Sequence, residues 1–198
     1  MKKVLFCIMF GGCAIVMGFV LMRLRGSVTV KPGRLQLTVG EVAACRQDDE
    51  IWAEDTLGDS GYTMRSSGCL VTCIASAVSM ETGSLTTPGA VNTVFSRNHV
   101  YDSEGNIQWS AIDGIEGYRA EVFQEVSEAV IEQCLAAGHY PIVRVRMHGL
   151  GSYHYVLVVG TEEGDYVCMD PLEDSLTRLS DYLSRVYAVR VVFCDRDL

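Results

Sequence analysis

Three side chains have the types and the placement of an activated cysteine nucleophile. Cys69 lies in Ser66-Ser67-Gly68-Cys69-Leu70-Val71-Thr72-Cys73, where a turn gives way to an apolar-striped stretch. His154 comes 85 residues later, in Tyr153-His154-Tyr155-Val156-Leu157-Val158-Val159-Gly160, and Asp170 closes the next apolar run in Met169-Asp170-Pro171. Such a set divides the work of acyl transfer. The sulfur attacks a carbonyl, the imidazole carries the proton, and the carboxylate holds the ring in the useful tautomer.

Each residue needs an element to position it. Apolar residues recur at Leu70, Cys73, Ile74, Ala77 and Val78, with Thr72, Ser76 and Ser79 between them, which predicts a helix of about three turns. Ser66 or Ser67 can cap it, Gly68 lets the backbone approach closely, and Gly83 is a plausible stop. A thiol in the first turn meets the positive end of the helix dipole, which favours its thiolate. The competing reading is a buried structural Cys, a common fate for free thiols. The Ser-Ser-Gly approach and the downstream His and Asp favour catalysis. Cys73, one turn deeper in the apolar stripe, is assigned to the core, and the Cys-x3-Cys spacing is poor for a metal site.

Of four histidines, His99, His139 and His148 fall in loops or connectors, with His148 the alternative for the base. His154 opens a near-continuous apolar run that reads as a buried central strand. Thr161 to Asp165 is a turn cluster and Tyr166 to Met169 a return strand, so an antiparallel hairpin brings Asp170 back beside the His154 end. Asp-Pro is also a common turn opener, which is the structural alternative for Asp170.

The order Cys, His, Asp and the helix-then-sheet placement resemble the papain-like cysteine peptidases, and within them the bacterial peptidase C39-like group. The His-aromatic-Val-rich-Gly run, the Asp-Pro and the segment Asp102-x-x-Gly105-x-Ile107-x-Trp109 are similar to that group's pattern. The resemblance covers roughly residues 45–195. It implies a Cys69, His154, Asp170 triad and a thioester intermediate. Papain-like enzymes usually place a Gln a few residues before the Cys, and none lies within twenty residues upstream here. Gln47, in Arg46-Gln47-Asp48-Asp49-Glu50-Ile51-Trp52, resembles the family's upstream segment and is the implied oxyanion donor beside the Cys69 N–H. Thr63 and Ser60 are local alternatives.

The N-terminus carries nineteen uncharged residues, Val4 to Met22, between Met1-Lys2-Lys3 and Arg23-Leu24-Arg25. That run is just long enough to span a bilayer and lacks a small-x-small cleavage site after it, so it reads as an uncleaved signal anchor. A cleaved signal is the rival. The chain then divides into an anchor (1–26), a linker (27–44) and one domain (45–198). The flanking charges lean toward a cytoplasmic domain. The resemblance implies an extracellular one on a single-pass membrane protein, and that is the expectation adopted. Four of the sixteen basic residues precede residue 27, leaving twelve against 25 acidic, a formal −13 that speaks against nucleic-acid binding. Six of the eight cysteines follow residue 26, so a free nucleophile rules out a fully paired disulfide framework.

The remaining segments read as scaffold. They are short strand potential at Val28–Val30 and Leu35–Val39, and a helix from Thr86-Thr87-Pro88 to about Arg97. A hairpin follows over Tyr101–Trp109, then a helix from Ser127 to Ala137. Strands are expected at Ile142–Arg146, Tyr155–Val159, Tyr166–Met169 and Tyr187–Phe193, with a short helix from Leu179 to Val186. Helices first and an antiparallel sheet after is an α+β layout, expected as a papain-like fold behind one N-terminal transmembrane helix. The expected function is a membrane-anchored thiol hydrolase, a cysteine peptidase acting on a peptide or protein substrate without a cofactor. Two rivals remain: a catalytically silent peptide- or partner-binding module, and a cell-wall amidase or acyltransferase using the same triad.

Overall fold

A strand whose residues are apolar on both faces belongs in the middle of a sheet covered on both sides, and the run beginning at Tyr153 takes that place. The computed structural model describes residues 17–33 and 36–194. Its first elements are helical residues 17–24 (α1), Val28–Thr29 (β1), Met64–Ser67 (α2), Cys69–Thr82 (α3), Pro88–Arg97 (α4) and Trp109–Ile112 (α5). Tyr118–Val122 (β2) and Glu128–Ala136 (α6) come next, followed by Ile142–Arg146 (β3), Tyr153–Glu162 (β4) and Asp165–Met169 (β5). Thr177–Arg178 (β6), Arg185–Val186 (β7) and Ala188–Cys194 (β8) complete the order, and 3-10 turns cover Met147–Gly149 and Leu179–Tyr182.

The larger sheet is antiparallel, in the order β2-β8-β3-β4-β5-β6. Along β4, Leu157 and Val159 face a core shared with α3 and α4, while Val156 and Val158 face a second core with α6 and the Leu179–Tyr182 turn. The alternation repeats in β5, with Val167 and Met169 on the first face and Tyr166 and Cys168 on the second. Helix α3 is buried from Val71 to Ser79, as a helix enclosed by sheet and neighbours should be. The architecture is α+β.

One part of the expected fold is corrected. Residues 4–16 of the proposed spanning segment lie outside the described residues. Among the described residues, no helix is long and apolar enough to cross a membrane. The described helical stretch stops at residue 24, where the domain captures it. Arg146 Nε and the Tyr187 hydroxyl donate to the Arg23 carbonyl at 3.0 and 2.6 Å, and the Arg23 guanidinium reaches the Gly151 carbonyl at 3.4 Å.

Of residues 27–44, read from sequence as a linker, the described ones (27–33 and 36–44) lie against the domain. β1 pairs with β7, Val30 is buried in the second core, and the Leu37 carbonyl accepts from the Thr161 N–H at 2.9 Å. Gly160 permits that crossing: a Cβ there would stand 2.9 Å from the Leu37 oxygen, and the β4–β5 register shifts beside it. Of the expected Leu35–Val39 strand, residue 35 lies outside the described residues and 36–39 are irregular. The expected Leu179–Val186 helix is instead a 3-10 turn followed by β7, with Leu183 and Ser184 at positive φ between them. β2 had no counterpart in the sequence reading, since Tyr118-Arg119-Ala120-Glu121-Val122 has too little apolar content to announce an edge strand.

Candidate active site

Cys69 owes its position to a break between two short-range helical segments. Thr63 caps α2, its side chain accepting from the Ser66 N–H while the Ser66 hydroxyl accepts from the Thr63 N–H. That box replaces the expected capping of α3 by Ser66 or Ser67. The Gly68 N–H closes α2 on the Met64 carbonyl at 2.8 Å, and a Cβ at residue 68 would lie 2.4 Å from that same oxygen. Only glycine fits. Helix α3 then restarts, with the Thr72 N–H bonded to the Gly68 carbonyl at 2.9 Å. Cys69 is therefore the first helical residue, half-buried, with a backbone N–H that has no acceptor within its helix.

His154 stands near the start of β4, 3% exposed, paired through β3 with Val145. Its Nε2 is 2.7 Å from Asp170 Oδ1, which also accepts from the Leu172 N–H at 2.8 Å. The other carboxylate oxygen accepts from the Tyr182 hydroxyl, itself 3.3 Å from the Thr177 hydroxyl. With Nε2 engaged, Nδ1 is the ring nitrogen left for the Cys69 thiol, which acts on His154 as hydrogen-bond partner and as charge. Burial alone would lower the imidazole pKa. The hydrogen bonds to Asp170 and Cys69 and their charges outweigh it and push His154 up to about 9. Burial would likewise raise Asp170, and the contacts with His154, Tyr182 and the Leu172 N–H bring it below the ordinary carboxylate value. Tyr182 is raised, by burial and by the neighbouring carboxylate.

The β4–β5 hairpin pairs Leu157 with Met169, which returns Asp170 to the His154 end as the sequence spacing predicted. Cys73 lies in the core, its Sγ 3.5 Å from the Tyr155 carbonyl. His139 pairs with Glu81 at 2.9 Å, and His99 and His148 occupy positive-φ turns. Gln47 is brought to the helix break. Its Nε2 donates to the Arg65 carbonyl at 2.8 Å, the group that an unbroken helix would offer to the Cys69 N–H, and its own N–H bonds the Pro171 carbonyl next to Asp170. Its Oε1 is buried without a partner. Thr63 and Ser60, the local alternatives, are used in turn and cap contacts instead.

Beside Cys69 lies an open cleft of about 340 Å³, bordered by Tyr62, Leu70, Tyr101, Trp109 and Tyr155, with Glu104 at its rim. Its hairpin wall is the expected Tyr101–Trp109 segment, reduced to one Tyr101–Ile107 bridge whose turn is held by Asp102 accepting from the Glu104 and Asn106 N–H groups at 2.9 Å. Sequence reasoning missed Tyr182 because nothing in Leu-Ser-Asp-Tyr advertises a contact with Asp170. All six described cysteines are free thiols.

No known family model matches the chain, and no curated protein matches it either.

Proposed function

We propose that the protein is a thiol hydrolase of the peptidase C39-like type, cleaving peptide (amide) bonds. The observation that supports it best is the buried His154 held between Asp170 and a half-buried thiol at a helix start. In this reading the Cys69 sulfur attacks the substrate carbonyl carbon, forming a C–S bond and an oxyanion. The Cys69 N–H and the remaining hydrogen of the Gln47 amide receive that negative charge. His154, which keeps its proton at neutral pH, gives it to the leaving amine as the C–N bond breaks. Water then attacks the thioester, His154 takes its proton, and the carboxylate product leaves with the thiol restored.

The test is labelling with iodoacetamide and hydrolysis of casein-derived peptides. Cys69→Ala should abolish both at neutral pH, while Cys73→Ala, a core change, keeps most of each. Labelling that persists in the Cys69→Ala protein would move the nucleophile elsewhere. One observation favours a second reading, a silent peptide-binding module: the Gln47 amide already donates to Arg65. Labelling without turnover would support that module. An extracellular place of action rests on the sequence resemblance, and protease added to intact cells tests it.

A further inference from the structure

Several arginines of the domain have acidic partners: Arg46 with Asp48 and Asp174, Arg65 with Glu54, Arg178 with Glu162 and Glu163. Arg144 and Arg190 have no carboxylate partner among the described residues. They are neighbours, since β3 and β8 pair Ile142 with Arg190 and Arg144 with Ala188. Both are half-buried, and the Nε of each is buried without a hydrogen-bond partner. Burial, with the nearby Arg144 charge, pushes the Arg190 guanidinium below its ordinary pKa. Two like charges held together this way carry a cost, in a chain with 25 acidic residues against 16 basic ones. Acidic partners are not scarce.

The pair adjoins the cleft through one of its lining rings: the Arg190 guanidinium lies 5.5 Å from the Trp109 ring centroid, while the Arg144 guanidinium lies 4.5 Å from that of Tyr153, two residues before Tyr155 on the same strand. Burial raises the Tyr155 phenol, while the charges of Arg144 and Arg190 oppose that rise and Cys69 adds to it from the other side. Tyr155 is thus within electrostatic reach of both the arginines and Cys69. Tyr155 and Trp109 both border the cleft at Cys69.

We infer that Arg144 and Arg190 form a carboxylate-binding subsite next to Cys69, selecting peptides that carry an anionic group on one side of the cleaved bond. That group is a chain-terminal carboxylate or an Asp or Glu side chain. Planar guanidinium groups suit a carboxylate, and their aromatic surroundings strengthen the attraction by excluding water. The catalytic consequence rests on the thiol-hydrolase reading, whereas the binding can be measured without it.

The experiment is calorimetric titration of the full-length Cys69→Ala protein with two peptide pairs. One pair is acetyl-tetraalanine as the free acid and as the amide. The other is amidated Ala-Ala-Glu-Ala and Ala-Ala-Gln-Ala. At least one acid should bind about tenfold or more tightly than its neutral counterpart, and the pair that does so identifies the source of the carboxylate. Added salt should shrink the preference. Arg144→Gln/Arg190→Gln should erase it, with the fold checked by circular dichroism. Equal or undetectable binding of acid and neutral peptides overturns the subsite, as does a preference that survives in the folded double variant. Iodoacetamide labelling of the unmodified protein separates the two ideas. Labelling without a carboxylate preference retires the subsite alone, and a preference without labelling retires the hydrolase alone.

Discussion

At the scale of single residues, Asp170 is held by three donors, and each has a separable effect. Asp170→Asn keeps a hydrogen-bonding group but removes the charge that stabilises the imidazolium, so turnover should fall by about 10²-fold or more. Asp165→Asn, at the far end of the hairpin, should change little. Tyr182→Phe leaves the carboxylate one donor short, and an acid that loses a donor is a weaker anchor for the ring. We expect lower turnover and an altered alkaline limb of the pH–rate profile, with iodoacetamide still reaching Cys69. An unchanged profile would reduce Tyr182 to packing. The same groups set how stability depends on pH. His154 has its pKa raised on folding, so its contribution is complete below its unfolded value of 6.5 and is lost as pH rises through about 9. Asp170 is shifted the other way, and its contribution is present above 3.8 and lost in acid below that. Melting temperature measured from pH 6 to 10 should decline across the alkaline window, and His154→Gln should flatten that decline. The meeting of His154 and Asp170 was legible because type, order and flanking pattern spoke together. Tyr182 and the arginine pair were not, because their meaning comes only from what the folded chain sets beside them.

At the scale of elements, the sequence showed where α3, α4, α6 and the β3, β4 and β5 strands lie, since 3.6-residue and all-apolar patterns survive burial. Thr87 capping with Pro88 next, and Ser127 capping α6, were readable for the same local reason. The cap of α3, not its start, was misread. Ser66 and Ser67 looked like its cap, but Thr63 opens an earlier turn, and the break at Gly68 depends on a steric contact four residues back. Gly68→Ala therefore tests the break itself. The clashing oxygen is backbone and cannot swing away, so a loss of about 1–3 kcal/mol is expected by analogy with overpacking, with Cys69 labelling slowed. Ile74→Ala, deep in the same helix, should cost about 2–5 kcal/mol in denaturant unfolding while leaving the labelling rate of the folded protein nearly unchanged. Equal effects on labelling from the two variants would mean that the break has no special part in placing the thiol.

At the scale of the whole molecule, two cores share one sheet, and Val30 and Leu37 close part of the second rather than leading into it. Long-range pairings such as Leu37 with Thr161 leave no mark on local sequence, which is why that stretch read as a linker. Gly160→Ala should lower the melting temperature by forcing that segment off β4, whereas Gly164→Ala would add a Cβ with open space around it and incur only the strain of its positive φ. The hold on Arg23 carries a different consequence. Arg146 and Tyr187 grip it at the end of the sheet where Arg146 pairs with Tyr153, one residue from His154. Tension applied through the amino-terminal side of the chain would thus reach the sheet beside His154.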